Sequence, residues 1–135
     1  MLRYVLAFVA SLLVLIAGDA VWLSYFARAL FRPTVGTILL DEPRWFAVAI
    51  FYPLYAAAIL VFAVNPIRTD AAWQTALLRG ALLGLVAYGT YDLTNLATIR
   101  VWTTRLALID TGWGIVLTAF AALAACLVEQ RFQAE

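Results

Sequence analysis

Four long runs of predominantly apolar residues decide what this chain can become: about Tyr4 to Ala27, Trp45 to Val64, Ala71 to Thr98 and Leu106 to Val128. At a rise of about 1.5 Å per residue each crosses the roughly 30 Å hydrocarbon core of a bilayer. The links between them are too short for a separate soluble domain. The expectation is therefore a single membrane domain over residues 1–135, all-α, folded as an integral four-transmembrane-helix antiparallel bundle. Composition agrees, with 66% hydrophobic and only 13% charged residues, where a soluble domain carries about 25% charged. The first run exceeds the roughly 7–15 apolar residues of a cleaved signal peptide and three more follow it, so it reads as a retained span.

The connections are punctuated. Asp41 with Pro43 is expected to cap the second helix, Asn65-Pro66 to stop it, and Asp70 to cap the third. Trp45, Trp73 and Trp102 fall at span ends, where an indole prefers the headgroup level. In the first loop Leu30, Phe31, Val35, Ile38 and Leu39 recur at near-helical spacing beside Arg28 and Arg32. This predicts an amphipathic segment lying in the interface plane, with a lid over a site as the alternative. Arginines are nearly balanced between the two sides, so the positive-inside rule assigns no orientation.

Absences restrict the chemistry. The chain has no histidine, and all nine of its basic residues are arginine. Haem ligation by His, Ser-His triads, retinal and pyridoxal phosphate are thereby excluded. Cys126 stands alone and reads as a packing residue. A net charge of +1 offers no field for nucleic acid, so the partner to expect is the lipid bilayer.

A carboxylate near the centre of a membrane helix costs about 2.5–3.5 kcal/mol on insertion scales. Asp19, Asp92 and Asp110 therefore require an account. With helices alternating in direction, all three fall in one half of the bilayer, at depths of roughly 12, 9 and 6 Å, and Tyr52 and Tyr55 reach a similar depth. Each aspartate has a donor three residues on, where the two share a helical face: Trp22 after Asp19, Asn95 after Asp92, Trp113 after Asp110. Gly80, Gly84, Tyr88, Asp92 and Asn95 share an arc of the third helix. Gly80 and Gly84 form a GxxxG, suited to packing within the chain or to a homo-oligomer. Pro53 should bend the second helix and free the Ala49 carbonyl.

The segments Gly18-Asp19-Ala20-Val21-Trp22-Leu23, Phe51-Tyr52 with Tyr55, Tyr91-Asp92-Leu93-Thr94-Asn95-Leu96 and Asp110-Thr111-Gly112-Trp113-Gly114 resemble the signatures of the bacterial family called domain of unknown function 2177. The resemblance runs along essentially the whole chain. It implies a small multi-pass protein of the bacterial inner membrane and brings no catalytic role with it.

Read from the residues, Asp19, Trp22, Tyr52, Tyr55, Tyr88, Tyr91, Asp92, Asn95, Asp110 and Trp113 are expected to line one intramembrane pocket. Such a pocket suits a cationic, protonatable or lipid-like small ligand, with proton-linked transport among its uses. Two alternatives stand beside this reading. One is a metal-assisted membrane enzyme acting on a lipid, with Asp19, Asp92 and Asp110 as candidate ligands of a divalent cation. The other is a structural protein in which the polar groups bind only one another.

Overall fold

Backbone N–H and C=O groups placed in lipid must be satisfied inside the helix that carries them, and the fold follows from that requirement. The computed structural model describes residues 1–65 and 72–132. Among the described residues the structure is all-helical, without strands. It comprises α1 (Leu2–Val21), α2 (Arg28–Val35), α3 (Trp45–Ile59), α4 (Ala72–Thr98) and α5 (Thr104–Arg131). Wider π-type turns at Trp22–Ala27 and Leu60–Val64 extend α1 and α3. Pro66, Arg68 and the expected cap Asp70 lie outside the described residues.

Among the described residues three helices are long and apolar enough to cross a membrane: Leu2–Ile38, Trp45–Val64 and Thr104–Arg131. The remaining one, α4, has the length, 27 residues, but Arg79, Asp92 and Asn95 dilute its apolar character.

The amphipathic segment of the first loop is not a separate element. It continues α1 without a break through Trp22–Ala27 and carries Pro33 inside its helix. Part of its apolar side is packed against protein: Val35 is fully buried with Trp102, Leu106 and Ala107, and Leu30 and Phe31 lie against the same cluster, while Ile38 and Leu39 stay exposed.

Helix starts differ from expectation at one place. Arg44, not Asp41, precedes the first turn of α3, and no side chain caps that turn. Pro43 explains the shift, since proline disfavours helical geometry in the residue before it and so excludes Glu42. At α5 the Thr103 hydroxyl accepts from the Leu106 amide at 3.2 Å, an N-cap the sequence reading passed over.

α5 is the central helix, packed most extensively against α4 and next against α1. Close approach is made by glycine. A Cβ on Gly80 would fall 2.7–2.9 Å from Ala122, Thr118 and Ala119, and one on Gly84 would collide with the Gly114 carbonyl oxygen. Because α4 numbers rise as α5 numbers fall along this seam, the two helices run antiparallel. Both glycines are buried, so the face expected as a homo-oligomer alternative is occupied by α5. The main core joins Ala7 and Leu15 of α1, Ala56 and Ile59 of α3, Ala76 of α4, and Leu117, Ala121, Ala122 and Ala125 of α5. Cys126 is buried in it, as a packing residue should be.

Candidate functional site

Ala7, Ser11 and Leu15 recur every four residues and turn one face of α1 inward. Gly18 continues that line and lets the helix close on Leu117 and Trp113 of α5. Asp19 comes next and is held by two donors from other helices. The Tyr52 hydroxyl donates to its Oδ2 at 2.8 Å and the Trp113 indole N–H to its Oδ1 at 3.2 Å.

The indoles are exchanged between helices. Trp113, three residues beyond Asp110, serves Asp19, while Trp22, three residues beyond Asp19, turns its indole to the Asp110 carboxyl. The two rings stack at 4.9 Å with 3° between their planes. Spacing supplies Asp19 and Asp110 each with an indole on its own helix, whereas the structure pairs each with the indole of the other helix.

Asp92 is fully buried (0% exposed) and Asp110 nearly so (6%). The Thr111 hydroxyl donates to Asp92 Oδ2 at 2.9 Å, and the Asp110 carboxyl faces that of Asp92. The buried Trp102 indole N–H turns to the Asp92 carboxyl as well, at the margin of hydrogen-bond geometry. Trp102 was expected in the interfacial belt. It is instead buried (7%), edge-on to Tyr91 at 5.5 Å and to Phe31 at 6.0 Å. Trp45 and Trp73 are exposed, as that belt requires.

The remaining predicted residues divide. Asn95 is half-buried and turns to the Tyr91 hydroxyl rather than to an aspartate. Tyr55 shares a 2.7 Å hydrogen bond with Thr118. Tyr88 lies over Gly114, where a Cβ would overlap its ring. A cavity of about 400 Å³ opens among Phe51, Tyr55, Ala87, Tyr88, Tyr91 and Asp110. Four aromatic side chains and one carboxyl group thus border a single space. The rings are mutually braced, Phe51 stacking on Tyr55 at 5.5 Å and Tyr55 meeting Tyr88 at 6.4 Å. Phe51, Thr111, Thr118 and Trp102 were not singled out as site residues. Only Phe51 and Thr111 carried a signal, as members of the motif segments. Among the described residues no three acidic, His or Cys side chains gather as a metal ion requires.

Helices apolar enough to cross a bilayer, with carboxyl groups and aromatic rings gathered between them, define a helical membrane protein with a buried polar centre. The chain belongs to the family described as predicted membrane protein (DUF2177), whose model matches residues 4–127. No curated protein and no solved structure matches it.

Proposed function

We propose that this protein is a four-span antiparallel bundle of the bacterial inner membrane that binds a small organic cation within the bilayer. The observation that carries the reading is the 400 Å³ cavity in which Asp110 stands among Phe51, Tyr55, Tyr88 and Tyr91. Ring faces attract a desolvated cation by about 2 kcal/mol or more each. A carboxylate adds a full opposite charge where the low dielectric screens it little. Quaternary and protonated amines fit such a box better than a bare metal ion, which needs several oxygen ligands at 2.0–2.6 Å. The cavity lies between α3, α4 and α5, so a ligand enters sideways from the lipid. In this reading α4 is a span in spite of Arg79, Asp92 and Asn95, and its one buried carboxyl group, Asp92, is covered by α5. Both termini then lie on one side of the membrane, and α2 continues from the surface end of α1 over the loop that holds Trp102.

Tetramethylammonium binding to the protein in lipid nanodiscs, followed by calorimetry, tests the proposal. Saturable binding is expected, weakened at least tenfold in Asp110→Asn and severalfold in Tyr88→Leu. Absence of saturable binding would overturn it.

The structural reading is favoured by one specific observation: both carboxylate oxygens of Asp19 are satisfied within the protein. We assign Asp19 to holding α1, α3 and α5 in register, and the ligand to the Asp110 side.

A further inference from the structure

Two cavities of the molecule are lined by charges of opposite sign. The cation cavity holds Asp110 and no arginine. A cavity of about 320 Å³ beside α2 holds Arg28 and Arg32 and no acid, and Leu23, Ala27, Phe31 and Leu39 complete its wall. Arg28 and Arg32 stand four residues apart in the helix, so their side chains leave it on one face. Like charges at that spacing destabilise a helix, and an anion placed between them removes the repulsion. Asp41 and Glu42 follow Leu39 in the chain but do not line the cavity, and among the described residues no carboxylate pairs with either arginine. The counter-charge has to come from outside the chain.

Depth and shape restrict what that anion is. Leu23 belongs to the end of the apolar run of α1, and Arg28 and Arg32 lie roughly 7 and 13 Å further along the same continuous helix. One wall therefore runs from hydrocarbon to headgroup level, apolar below and cationic above. Its floor is already formed: Ala27 is buried, and the Phe31 ring is braced edge-on against Trp102 at 6.0 Å. Leu23 and Leu39 remain exposed. A small free anion would leave them uncovered, whereas a phospholipid covers them with hydrocarbon and brings a phosphate to the guanidinium forks, which match its oxygens in pairs. An ammonium headgroup would meet two like charges and no carboxylate, so the lipid that fits carries net negative charge.

We propose that Arg28 and Arg32, with the apolar wall beneath them, form a binding site for an anionic phospholipid, whose phosphate bridges the two guanidinium groups while an acyl chain lies along Leu23, Phe31 and Leu39. The site goes beyond the cation reading and does not rest on it.

Native mass spectrometry of the detergent-solubilised protein, titrated with phosphatidylglycerol and with diacylglycerol of the same chains, tests the proposal. One phosphatidylglycerol is expected to bind at least fivefold more tightly than diacylglycerol, and equal affinities would overturn the site. Arg28→Gln and Arg32→Gln should each weaken the phospholipid about fivefold, the worth of one arginine at a charged headgroup. Arg100→Gln, an exposed arginine outside the cavity, should leave it unchanged. An equal loss in all three variants would reveal a diffuse positive surface and no site. Asp110→Asn should bind phosphatidylglycerol like the wild type; a loss there would put the lipid in the cation cavity and overturn the proposal. On the same variant, where a quaternary nitrogen has no carboxylate to meet in that cavity, phosphatidylcholine should bind at least fivefold more weakly than phosphatidylglycerol, and parity would remove the anionic assignment. Displacement of the lipid by glycerol 3-phosphate at comparable concentration would show a site for free phosphate instead. Arg28 and Arg32 are both exposed, and the comparison of phosphatidylglycerol with diacylglycerol uses the wild-type chain, so it decides even if a variant does not fold.

Discussion

The two halves of the α4–α5 seam are built from opposite materials. Towards Gly80 and Gly84 the contact is backbone against backbone: glycine meets Gly114, Thr118, Ala119 and Ala122, and no room remains for a methyl group. Towards Asp92 the same two helices meet through side chains. Thr111 bonds to Asp92, Asp110 faces it, and Tyr88 lies over Gly114 as the last close-packed step before the seam opens into the cavity. In a membrane, where lipid is as apolar as leucine, small residues drive helices together by dispersion and shape. Polar groups at the other half buy little affinity between helices, since interhelical hydrogen bonds average about 0.6 kcal/mol. The glycine half thus holds the fold, and the polar half borders the cavity proposed as the binding site.

Breaking the glycine half should have the largest effect. In Gly84→Leu the new side chain meets the Gly114 carbonyl and the Cα of Ile115. Because α5 backbone cannot yield there, a loss beyond the usual overpacking range of about 1–3 kcal/mol is expected. Folded yield and thermal denaturation in detergent would show it, and a stable Gly84→Leu protein would remove the division of roles.

Next in size is the Asp19 junction, which joins three helices. Tyr52→Phe withdraws the 2.8 Å donor from Asp19, and hydrogen bonds to charged groups are worth about 1.5–3 kcal/mol. A double-mutant cycle with Asp19→Asn, read by denaturation, should return a favourable coupling of about 0.6–1.7 kcal/mol. Zero coupling would mean that the bond contributes nothing to holding the helices together.

A comparable or smaller loss, about 0.5–2 kcal/mol, is expected for Thr103→Ala, which removes the N-cap of α5. Its effect should be confined to the polar half, seen as faster amide exchange in the first turn of α5 with the Gly84 region unchanged. At the bottom of the scale, Gly36→Ala should shift stability by no more than about 0.5 kcal/mol, because nothing lies within 4 Å of a Cβ there. Measured beside Gly84→Leu, it separates packing glycines from incidental ones.

Much of this was legible in the residues. Run length and the absence of charge place the helices, since a bilayer demands both. Proline and glycine signals were less secure: Asp41 resembled a cap, but Pro43 sets the start of α3 at Trp45. The aspartates were identifiable individually, because a carboxylate in an apolar run has few innocent explanations. Their partners were not. Periodicity reports which residues share a face of one helix and is silent about which neighbouring helix that face meets. Hence spacing pairs Trp113 with Asp110 whereas it binds Asp19, and Asn95 with Asp92 whereas it turns to Tyr91. Trp102 shows the same blindness. At a span end it has the composition of an interfacial anchor, and only the return of α2 over the α4–α5 loop buries it.

By itself, then, the sequence determined the solvent, the helices, the chemistry that is excluded, and which side chains had to be accounted for. These follow from local properties: hydropathy, length, and the cost of a charge in hydrocarbon. Tertiary structure alone decided that the GxxxG faces α5, that the two indoles change partners, and that four rings and Asp110 border one space. Each of those outcomes depends on the relative rotation and depth of helices distant in the chain. That arrangement is set by the sum of many weak interhelical contacts, none of which is written in any single stretch of residues.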